Sequence, residues 1–276
     1  MSGTTRVGYQ GEPGAFSETA VLALFPSATP VPHHAFRDVF HAVERGAVDF
    51  GMMPIENSQA GSINDTYDLL ASGSASIVAE VIVPVHHALL ALPGTSVEDV
   101  HRVISHPQAL AQCQDYLERL DAEVLAVHDT AGAARMIAES GSRTDAAIAS
   151  VDAGSLVGLT VLAERIQTEK ENFTKFAVIG SGDPGLGPHD KTSLVMAVLD
   201  EPGSLLGALQ PFAQRGINMH KIESRPRRGK PFEYVMYVDV MCAGDEPGVV
   251  EALDEVAAHT SMLRVLGSYR AAADPE

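Results

Sequence analysis

The chain has 276 residues, of which 45% are apolar and 20% are charged, and its formal net charge is −17. This composition is typical of a globular protein with one large domain or two modest ones. The strong negative charge argues against binding to nucleic acid or to an anionic membrane, and no apolar run approaches the roughly 18 residues that a membrane span requires.

In the first 180 or so residues the apolar pattern alternates between strand and helix periodicity. We predict strands at Arg6–Tyr9, Val48–Met53, Ile77–Val83, His86–Leu92, Val124–Val127, Ala146–Ala149 and Phe176–Ile179. We predict helices at Phe16–Leu24, Asp65–Ala71, Pro107–Leu120 and Thr130–Glu139. Strands that alternate with helices indicate an α/β domain built on crossover units. Pro84 separates two strand-like stretches, where the chain could cross between two lobes.

A stretch rich in glycine and proline, GSGDPGLGPHD at Gly180–Asp190, indicates a domain boundary. We therefore predict a first domain at 1–182, a linker at 183–190 and a second domain at 191–271. The predicted elements of the second domain, in chain order, are strand Lys191–Leu199, helix Gly203–Arg215, strand Met219–Ser224, turn Arg225–Pro231, strand Glu233–Val240, helix Pro247–His259 and strand Leu263–Tyr269. The order β-α-β-β-α-β is that of a ferredoxin-like domain.

Three polar loops of the first domain each precede a predicted helix. They are QGEPGAFS (Gln10–Ser17), ENSQAGSIND (Glu56–Asp65) and SHPQALAQC (Ser105–Cys113). Free backbone N–H groups and the helix dipole favour anions at such places, so the loops could together hold carboxylates, or each could be only a well-capped helix. Asn57 leaves a strand at its carboxyl end, where ligands of α/β folds gather. It could equally bond its own backbone in a turn.

Metal and cofactor motifs are absent from the sequence. His33–His34 and His86–His87 are neighbours in extended segments, so each pair points to opposite faces and chelates poorly. There is no Walker loop, no well-placed GxGxxG and no GxSxG elbow. We therefore expect no metal and no cofactor. The two cysteines are far apart and no signal peptide is apparent, which favours reduced thiols and a cytoplasmic location.

The segment ENFTKFAVIG (Glu171–Gly180) places Thr174 and Lys175 where the chain enters an apolar strand. No acidic residue follows nearby, so the Lys175 ammonium either extends to solvent or meets an anion from outside the chain.

Six stretches together carry a resemblance to a known family. They are GYQGEPGAFS, MPIENSQAGSINDTYDLL, ISHPQALAQC, ENFTKFAVIG, GSLL at Gly203–Leu206 and ESRP at Glu223–Pro226. With these stretches in the family's order over almost the whole chain, the sequence resembles monofunctional prephenate dehydratases with a C-terminal ACT regulatory domain.

The resemblance implies a fold and an activity. The fold is a two-lobed α/β catalytic domain, similar to type II periplasmic-binding proteins, followed by the ACT domain. The activity is conversion of prephenate to phenylpyruvate with loss of water and carbon dioxide, without a cofactor. By the same resemblance the catalytic residues are Thr174, Lys175, Phe176, Asn57, Gln112 and Ser105. The substrate-binding residues are Ser17, Ser58, Gly61 and Ser62.

Lys175 stands where the family has arginine, which offers two parallel bonds to a carboxylate instead of one point charge. A cation on the carboxylate that leaves would stabilise the ground state and slow the reaction. We therefore expect Lys175 to hold the pyruvyl carboxylate, or to hold the ring carboxylate only loosely.

The resemblance also implies that phenylalanine binds between ACT domains of a homodimer or homotetramer and regulates the enzyme. The residues implied are Gly203, Ser204, Leu205, Leu206, Glu223, Ser224, Arg225 and Pro226. Two alternatives stay open: an arogenate dehydratase, whose substrate has an amino group in place of the ketone, and a catalytically idle amino-acid sensor.

Overall fold

The computed structural model describes residues 4–227, 229–273 and 275. The chain divides into two compact units. The first comprises chiefly Met1–Thr66 and Val81–Phe176, and the second comprises Tyr67–Glu80 and Ala177–Ala273. A segment from the first part of the sequence is therefore packed in the second unit. The domain boundary at residue 182 remains a prediction.

The first sheet has six strands in the order β2-β1-β3-β11-β5, with β4 paired to β3. They are β1 (Arg6–Gln10), β2 (Thr29–His33), β3 (Phe50–Asn57), β4 (Gly61–Ser62), β5 (Ser76–Pro84) and β11 (Phe173–Gly180). The helices between them in sequence are α1 (Phe16–Leu24), α2 (Phe36–Glu44) and α3 (Asn64–Ser72). Because β1 is parallel to both β2 and β3, the loops after these three strands leave the sheet at one edge.

The second sheet has five strands in the order β10-β6-β9-β7-β8. They are β6 (Ala88–Ala91), β7 (Arg102–Ser105), β8 (Glu123–Ala126), β9 (Asp145–Ala149) and β10 (Thr160–Glu164). Its helices are α4 (Pro107–Gln112), α5 (Gln114–Leu120), α6 (Thr130–Ser140) and α7 (Val151–Leu156), and a 3-10 turn spans Val97–Asp99. The neighbours Leu89 and Leu90 belong to different apolar clusters, so both faces of the sheet are covered. The predicted α/β class with two lobes is confirmed.

Several elements differ from the sequence prediction. The elements not predicted are β2, α2, β4, the 3-10 turn, β7, α7 and β10. Strand β2 contains Pro30 and Pro32, which an edge strand tolerates and a central strand does not. The predicted helix Pro107–Leu120 is two helices, because the chain turns at Cys113, whose φ is −108° and ψ is 18°. Strand β11 begins at Phe173, earlier than the predicted Phe176, and so includes Thr174 and Lys175.

The second unit contains the predicted βαββαβ order. Its elements are β12 (Lys191–Val198), α8 (Ser204–Gln214), β13 (Met219–Pro226), β14 (Tyr234–Val240), α9 (Pro247–Ala257) and β15 (Thr260–Tyr269). The sheet order is β13-β14-β12-β15, and all neighbouring strands are antiparallel. Its core includes Leu194, Phe212 and Val238. Of the predicted turn Arg225–Pro231, residue 228 lies outside the described residues. No described helix is both long and apolar enough to cross a membrane.

A buried charge cluster holds residues 67–80 within the second unit. Lys191 Nζ lies 2.8 Å from Glu80 Oε2 and 2.9 Å from Asp239 Oδ2, and all three side chains are largely buried. Burial alone would lower the pKa of Lys191, but the two carboxylates outweigh it and the net shift is upward. The Tyr237 hydroxyl donates to the carbonyl of Tyr67 at 3.0 Å. These polar groups satisfy one another in the interior, as buried charges must.

Candidate functional site

Asn57 lies at the carboxyl end of β3 and is only 4% exposed. Its Oδ1 accepts hydrogen bonds from the backbone N–H groups of Gln59 at 3.1 Å and Ala60 at 3.0 Å. This is the turn that the sequence offered as one interpretation of Asn57. Because two N–H donors face Oδ1, they also fix the orientation of the carboxamide, whose nitrogen must point the other way.

The amide nitrogen of Asn57 faces the start of β11. Asn57 Nδ2 lies 2.8 Å from Asn172 Oδ1, 3.1 Å from Thr174 Oγ1 and 3.1 Å from the carbonyl oxygen of Phe173. Thr174 therefore accepts a hydrogen bond from Asn57, and its own hydroxyl hydrogen is not used in that contact. The side-chain oxygen of Asn57 therefore stabilises the turn, and the side-chain nitrogen of Asn57 binds Thr174.

Asn172 presents a second unused donor. The residue is 1% exposed, and its Oδ1 accepts from Asn57. Its Nδ2 is buried and has no hydrogen-bond partner within the described residues. Since buried polar groups in folded proteins are nearly always paired, this amide is an unsatisfied donor in the cluster around Asn57.

Gln112 is the last residue of α4, a helix of the second sheet, and its side chain contacts Asn57. Gln112 Nε2 donates to Asn57 Oδ1 at 3.3 Å. Its Oε1 lies 2.9 Å from His87 Nε2. The sequence prediction that Asn57, Gln112 and Thr174 act together agrees with these contacts, while their chemical roles remain predictions.

His87 is 2% exposed and lies just before β6. Burial lowers the pKa of its imidazole, a neighbouring His86 lowers it further, and the bond to Gln112 only partly opposes them. The Phe16 ring contacts it edge-on, with 5.7 Å between ring centroids. The imidazole is therefore held neutral next to Gln112.

The predicted substrate-binding residues occupy the loop after β3 and the helix α1. Ser58 ties that loop to β11: its N–H donates to the carbonyl of Phe173 at 2.9 Å, and its Oγ accepts from the N–H of Phe173 at 3.0 Å. Gly61 and Ser62 form β4, where Gly61 has a φ of 79°. Ser17 is buried in α1. Their contact with substrate stays a prediction.

The side chains of three other predicted residues share no hydrogen bond with the amide cluster within the described residues. Ser105 is buried at the end of β7, and its hydroxyl donates to the carbonyl of Ile148 at 2.6 Å, so it can only accept from a ligand. Phe176 is a core residue. Lys175 is half-buried, and as the neighbour of Thr174 on a strand it projects to the opposite face of the sheet. Within the described residues no carboxylate pairs with Lys175.

An open cavity of about 390 Å³ adjoins the cluster, with Gln59, Ala60, Gln112 and Thr168 among its lining residues. Its size falls in the range of small-molecule sites. No group of three or more His, Cys, Asp or Glu side chains in the described part of the chain could hold a metal ion.

The predicted effector residues lie in two places of the second unit. Gly203 precedes α8 with a φ of 91°, and Ser204, Leu205 and Leu206 form its first turn. Leu206 is 70% exposed. Glu223, Ser224, Arg225 and Pro226 lie on β13, the edge strand of the sheet. Exposed leucines and an open edge strand are surfaces that a second copy of the chain could cover.

Sequence reasoning missed His87 and Asn172. His87 stands at the start of a strand after Pro84, and its contact with Gln112 depends on how α4 packs. Asn172 had a weak signal, since it lies within ENFTKF, two residues before Thr174.

Comparisons with known proteins agree with this arrangement. A family model described as prephenate dehydratase matches residues 7–184, and one described as ACT domain matches residues 192–258. Arogenate dehydratase 1 of Petunia hybrida is 45% identical, over 98% of this chain and 68% of its own length.

Two solved structures are similar in fold as well as in sequence. Prephenate dehydratase from Arthrobacter aurescens in complex with L-Phe has a TM-score of 0.87 and 31% identity, over 96% of this chain and 90% of its own. A chain described as GqqA, a novel type of quorum quenching acylases, has a TM-score of 0.87 and 33% identity, over 96% of this chain and 98% of its own.

Proposed function

The chain belongs to the prephenate dehydratase family and carries a C-terminal ACT domain, and from this premise we propose that it converts prephenate to phenylpyruvate in phenylalanine biosynthesis. The observation that carries the proposal is the amide cluster, in which Asn172 Nδ2 and the Thr174 hydroxyl hydrogen remain as donors beside Asn57. The reaction expels a hydroxide equivalent, and such donors are what the departing oxygen needs.

The chemistry requires no redox step. The bond to the ring carboxylate breaks and releases carbon dioxide, its electron pair enters the ring, and the carbon–oxygen bond breaks on the other side. The prephenate dianion takes up one proton and yields the phenylpyruvate anion, water and carbon dioxide. Thr174 donates a hydrogen bond to the departing oxygen as its negative charge develops, and Asn57 holds the Thr174 oxygen so that this hydrogen points outward.

Further members of the site follow from the predicted roles. Gln112 and Ser105 orient the substrate, Ser105 as an acceptor only. Ser17, Ser58, Gly61 and Ser62 contribute loop contacts, and Phe176 is a buried residue of β11. The proposed role of Lys175 is to hold the pyruvyl carboxylate, or the ring carboxylate only loosely, with a side chain that leaves β11 on the face opposite to Thr174. No metal or cofactor takes part in this proposal.

Arogenate is the competing substrate. The Petunia hybrida relative is named an arogenate dehydratase and the Arthrobacter aurescens structure a prephenate dehydratase, so the names support either assignment. Arogenate carries an ammonium where prephenate has a ketone, and the contacts within the cluster around Asn57 do not distinguish these two groups. Prephenate is the proposed substrate, and the turnover rates with prephenate and with arogenate distinguish the two assignments.

The acylase name of one structural relative is not extended to this chain. Acyl transfer by covalent catalysis needs an activated nucleophile beside a base. Cys113 is fully buried, and burial raises the pKa of its thiol to about 12. The Ser105 hydroxyl is engaged with the Ile148 carbonyl. Neither residue is placed as a nucleophile.

The second unit is proposed as the phenylalanine-responsive part of a homodimer or homotetramer. The L-Phe complex of the Arthrobacter aurescens relative supports phenylalanine as the effector. The amide groups at the start of α8 suit its carboxylate, and Leu205 and Leu206 suit its ring. Residues 223–226 on β13 complete the site across the subunit boundary.

Domain limits and location complete the proposal. We place the catalytic domain at 1–182, the linker at 183–190 and the ACT domain at 191–271, in a protein of the cytoplasm. The two free cysteines support a reducing compartment.

A turnover assay with purified protein tests the proposed function. Prephenate and arogenate are each supplied with and without phenylalanine, to the wild type and to Thr174→Val, which keeps the shape but removes the hydroxyl. We expect phenylpyruvate from prephenate and a fall in kcat of roughly 10²-fold in the variant. Product only from arogenate would assign the alternative substrate. Phenylalanine binding without turnover of either substrate would support the idle sensor.

A further inference from the structure

We infer that His87 is a positioning residue of the dehydratase site, which holds the Gln112 carboxamide in the orientation whose nitrogen binds Asn57, the residue that contacts Thr174. This inference rests on the proposed function. Within the described residues His87 forms no hydrogen bond with Thr174 itself. It acts through the Gln112 carboxamide, 2.9 Å from its Nε2.

The direction of the chain of hydrogen bonds is set at Asn57. Two backbone N–H groups hold Asn57 Oδ1, so Gln112 must approach that oxygen with its own nitrogen. The Gln112 oxygen then necessarily faces His87. An amide oxygen can only accept, so His87 Nε2 must carry the hydrogen.

This assignment defines the His87 tautomer. With hydrogen on Nε2 and the ring neutral, Nδ1 is an unprotonated acceptor, and it has no hydrogen-bond partner within the described residues. The opposite tautomer would turn Gln112 over and place its oxygen against Asn57 Oδ1. That arrangement would set two acceptors against each other and remove the hydrogen bond from Gln112 to Asn57 Oδ1.

Two backbone hydrogen bonds and one ring contact hold His87 in place. The backbone N–H of His87 donates to Gln167 Oε1 at 3.1 Å, and the carbonyl of His87 accepts from the N–H of Ile166 at 3.1 Å. The ring of Phe16, from α1, packs edge-on against the imidazole. The backbone bonds fix the position of the Cα atom, and the Phe16 contact limits how the imidazole can turn.

A matched pair of variants separates positioning from space filling. His87→Gln can place an amide nitrogen near the original Nε2, whereas the shorter His87→Asn reaches only the Nδ1 position. We expect His87→Asn to lower kcat roughly tenfold to hundredfold with little change in KM, and His87→Gln to stay within a few-fold of wild type. Circular dichroism melting of both variants shows whether either change is only a loss of fold.

A double-variant cycle tests whether His87 works through Gln112. If it does, His87→Asn adds little to the loss already caused by Gln112→Met, because the two residues act as a unit. Multiplied losses, equal losses in His87→Gln and His87→Asn, or full activity in His87→Asn would each overturn the inference.

Nitrogen-15 NMR of the wild-type imidazole gives a readout that does not depend on turnover. We expect the Nε2–H tautomer, and the Nδ1–H tautomer would overturn the inference even in an active enzyme. If the wild type turns over neither prephenate nor arogenate, the proposed function fails by itself. An Nε2–H tautomer, together with a shift of the Gln112 side-chain amide signals in His87→Asn, would then still support the positioning contact.

Discussion

Thr174 and Lys175 are neighbours in β11 with different surroundings. Thr174 is buried and receives a hydrogen bond from Asn57, while Lys175 is half-buried on the other face of the strand. Two roles therefore compete for Lys175. A lysine that holds the pyruvyl carboxylate contributes to substrate binding, whereas a lysine that only covers the sheet contributes little to substrate binding.

Lys175→Arg and Lys175→Met distinguish these roles. If Lys175 holds the carboxylate, arginine should preserve or raise kcat/KM for the substrate, because it can form a second parallel bond. Methionine should lower kcat/KM by roughly tenfold to hundredfold, the equivalent of about 1.5–3 kcal/mol for a bond to a charged group. Steady-state kinetics at matched ionic strength measures both. Unchanged kinetics in Lys175→Met, or a collapse in Lys175→Arg, would assign Lys175 to the surface of the sheet.

At the scale of elements, strand β15 comes unusually close to β5. A Cβ atom added at Gly267 would lie 2.0 Å from the carbonyl oxygen of Ile77. Glycine is therefore required here for close approach of two backbones, and not for an unusual φ.

Gly267→Ala should lower the free energy of unfolding by about 1–3 kcal/mol or more, because the backbone of Ile77 would have to shift. Chemical denaturation measures the change. Gly248→Ala is the control, since its nearest contact is a flexible Arg215 atom at 3.9 Å and alanine suits a helix. Equal stability of the two variants would contradict the tight approach.

Much of this architecture was predictable because local patterns specify it. The βαββαβ order follows from clear hairpin and helix periodicity, and Asn57 and Thr174 stood out because each ends or begins an apolar strand. The missed strands β2 and β7 are short or contain proline, so periodicity is weak there. His87 and Asn172 were missed because their importance depends on hydrogen bonds between segments that are distant in sequence, which residue patterns do not encode.

At the scale of the whole molecule, the units do not follow the order of the sequence. Residues 67–80 precede most of the first unit, yet they pack in the second, where Glu80 pairs with Lys191 and Tyr67 receives the Tyr237 hydroxyl. Removing residues 183–276 would therefore deprive a buried segment of its partners.

A fragment of residues 1–182 should accordingly melt at a lower temperature than the full chain and tend to aggregate. The fragment retains Glu80 but lacks Lys191. Because it also lacks β15, it exposes the apolar surface around Ile77 that β15 covers in the full chain. Scanning calorimetry and gel filtration of the fragment beside the full chain measure this. A monomeric fragment with an unchanged melting temperature would support the boundary at 182 as a true limit of independent folding.

The double duty of Asn57 has an evolutionary consequence. Its oxygen shapes the loop after β3 and its nitrogen steadies Thr174, so the two tasks depend on different atoms of one carboxamide. Selection for the bend acts on the oxygen alone, but the nitrogen also donates to Asn172 and to the Phe173 carbonyl, where a buried aspartate would meet only acceptors. A lineage that abandoned the reaction would therefore still be expected to keep asparagine here, because the start of β11 depends on it.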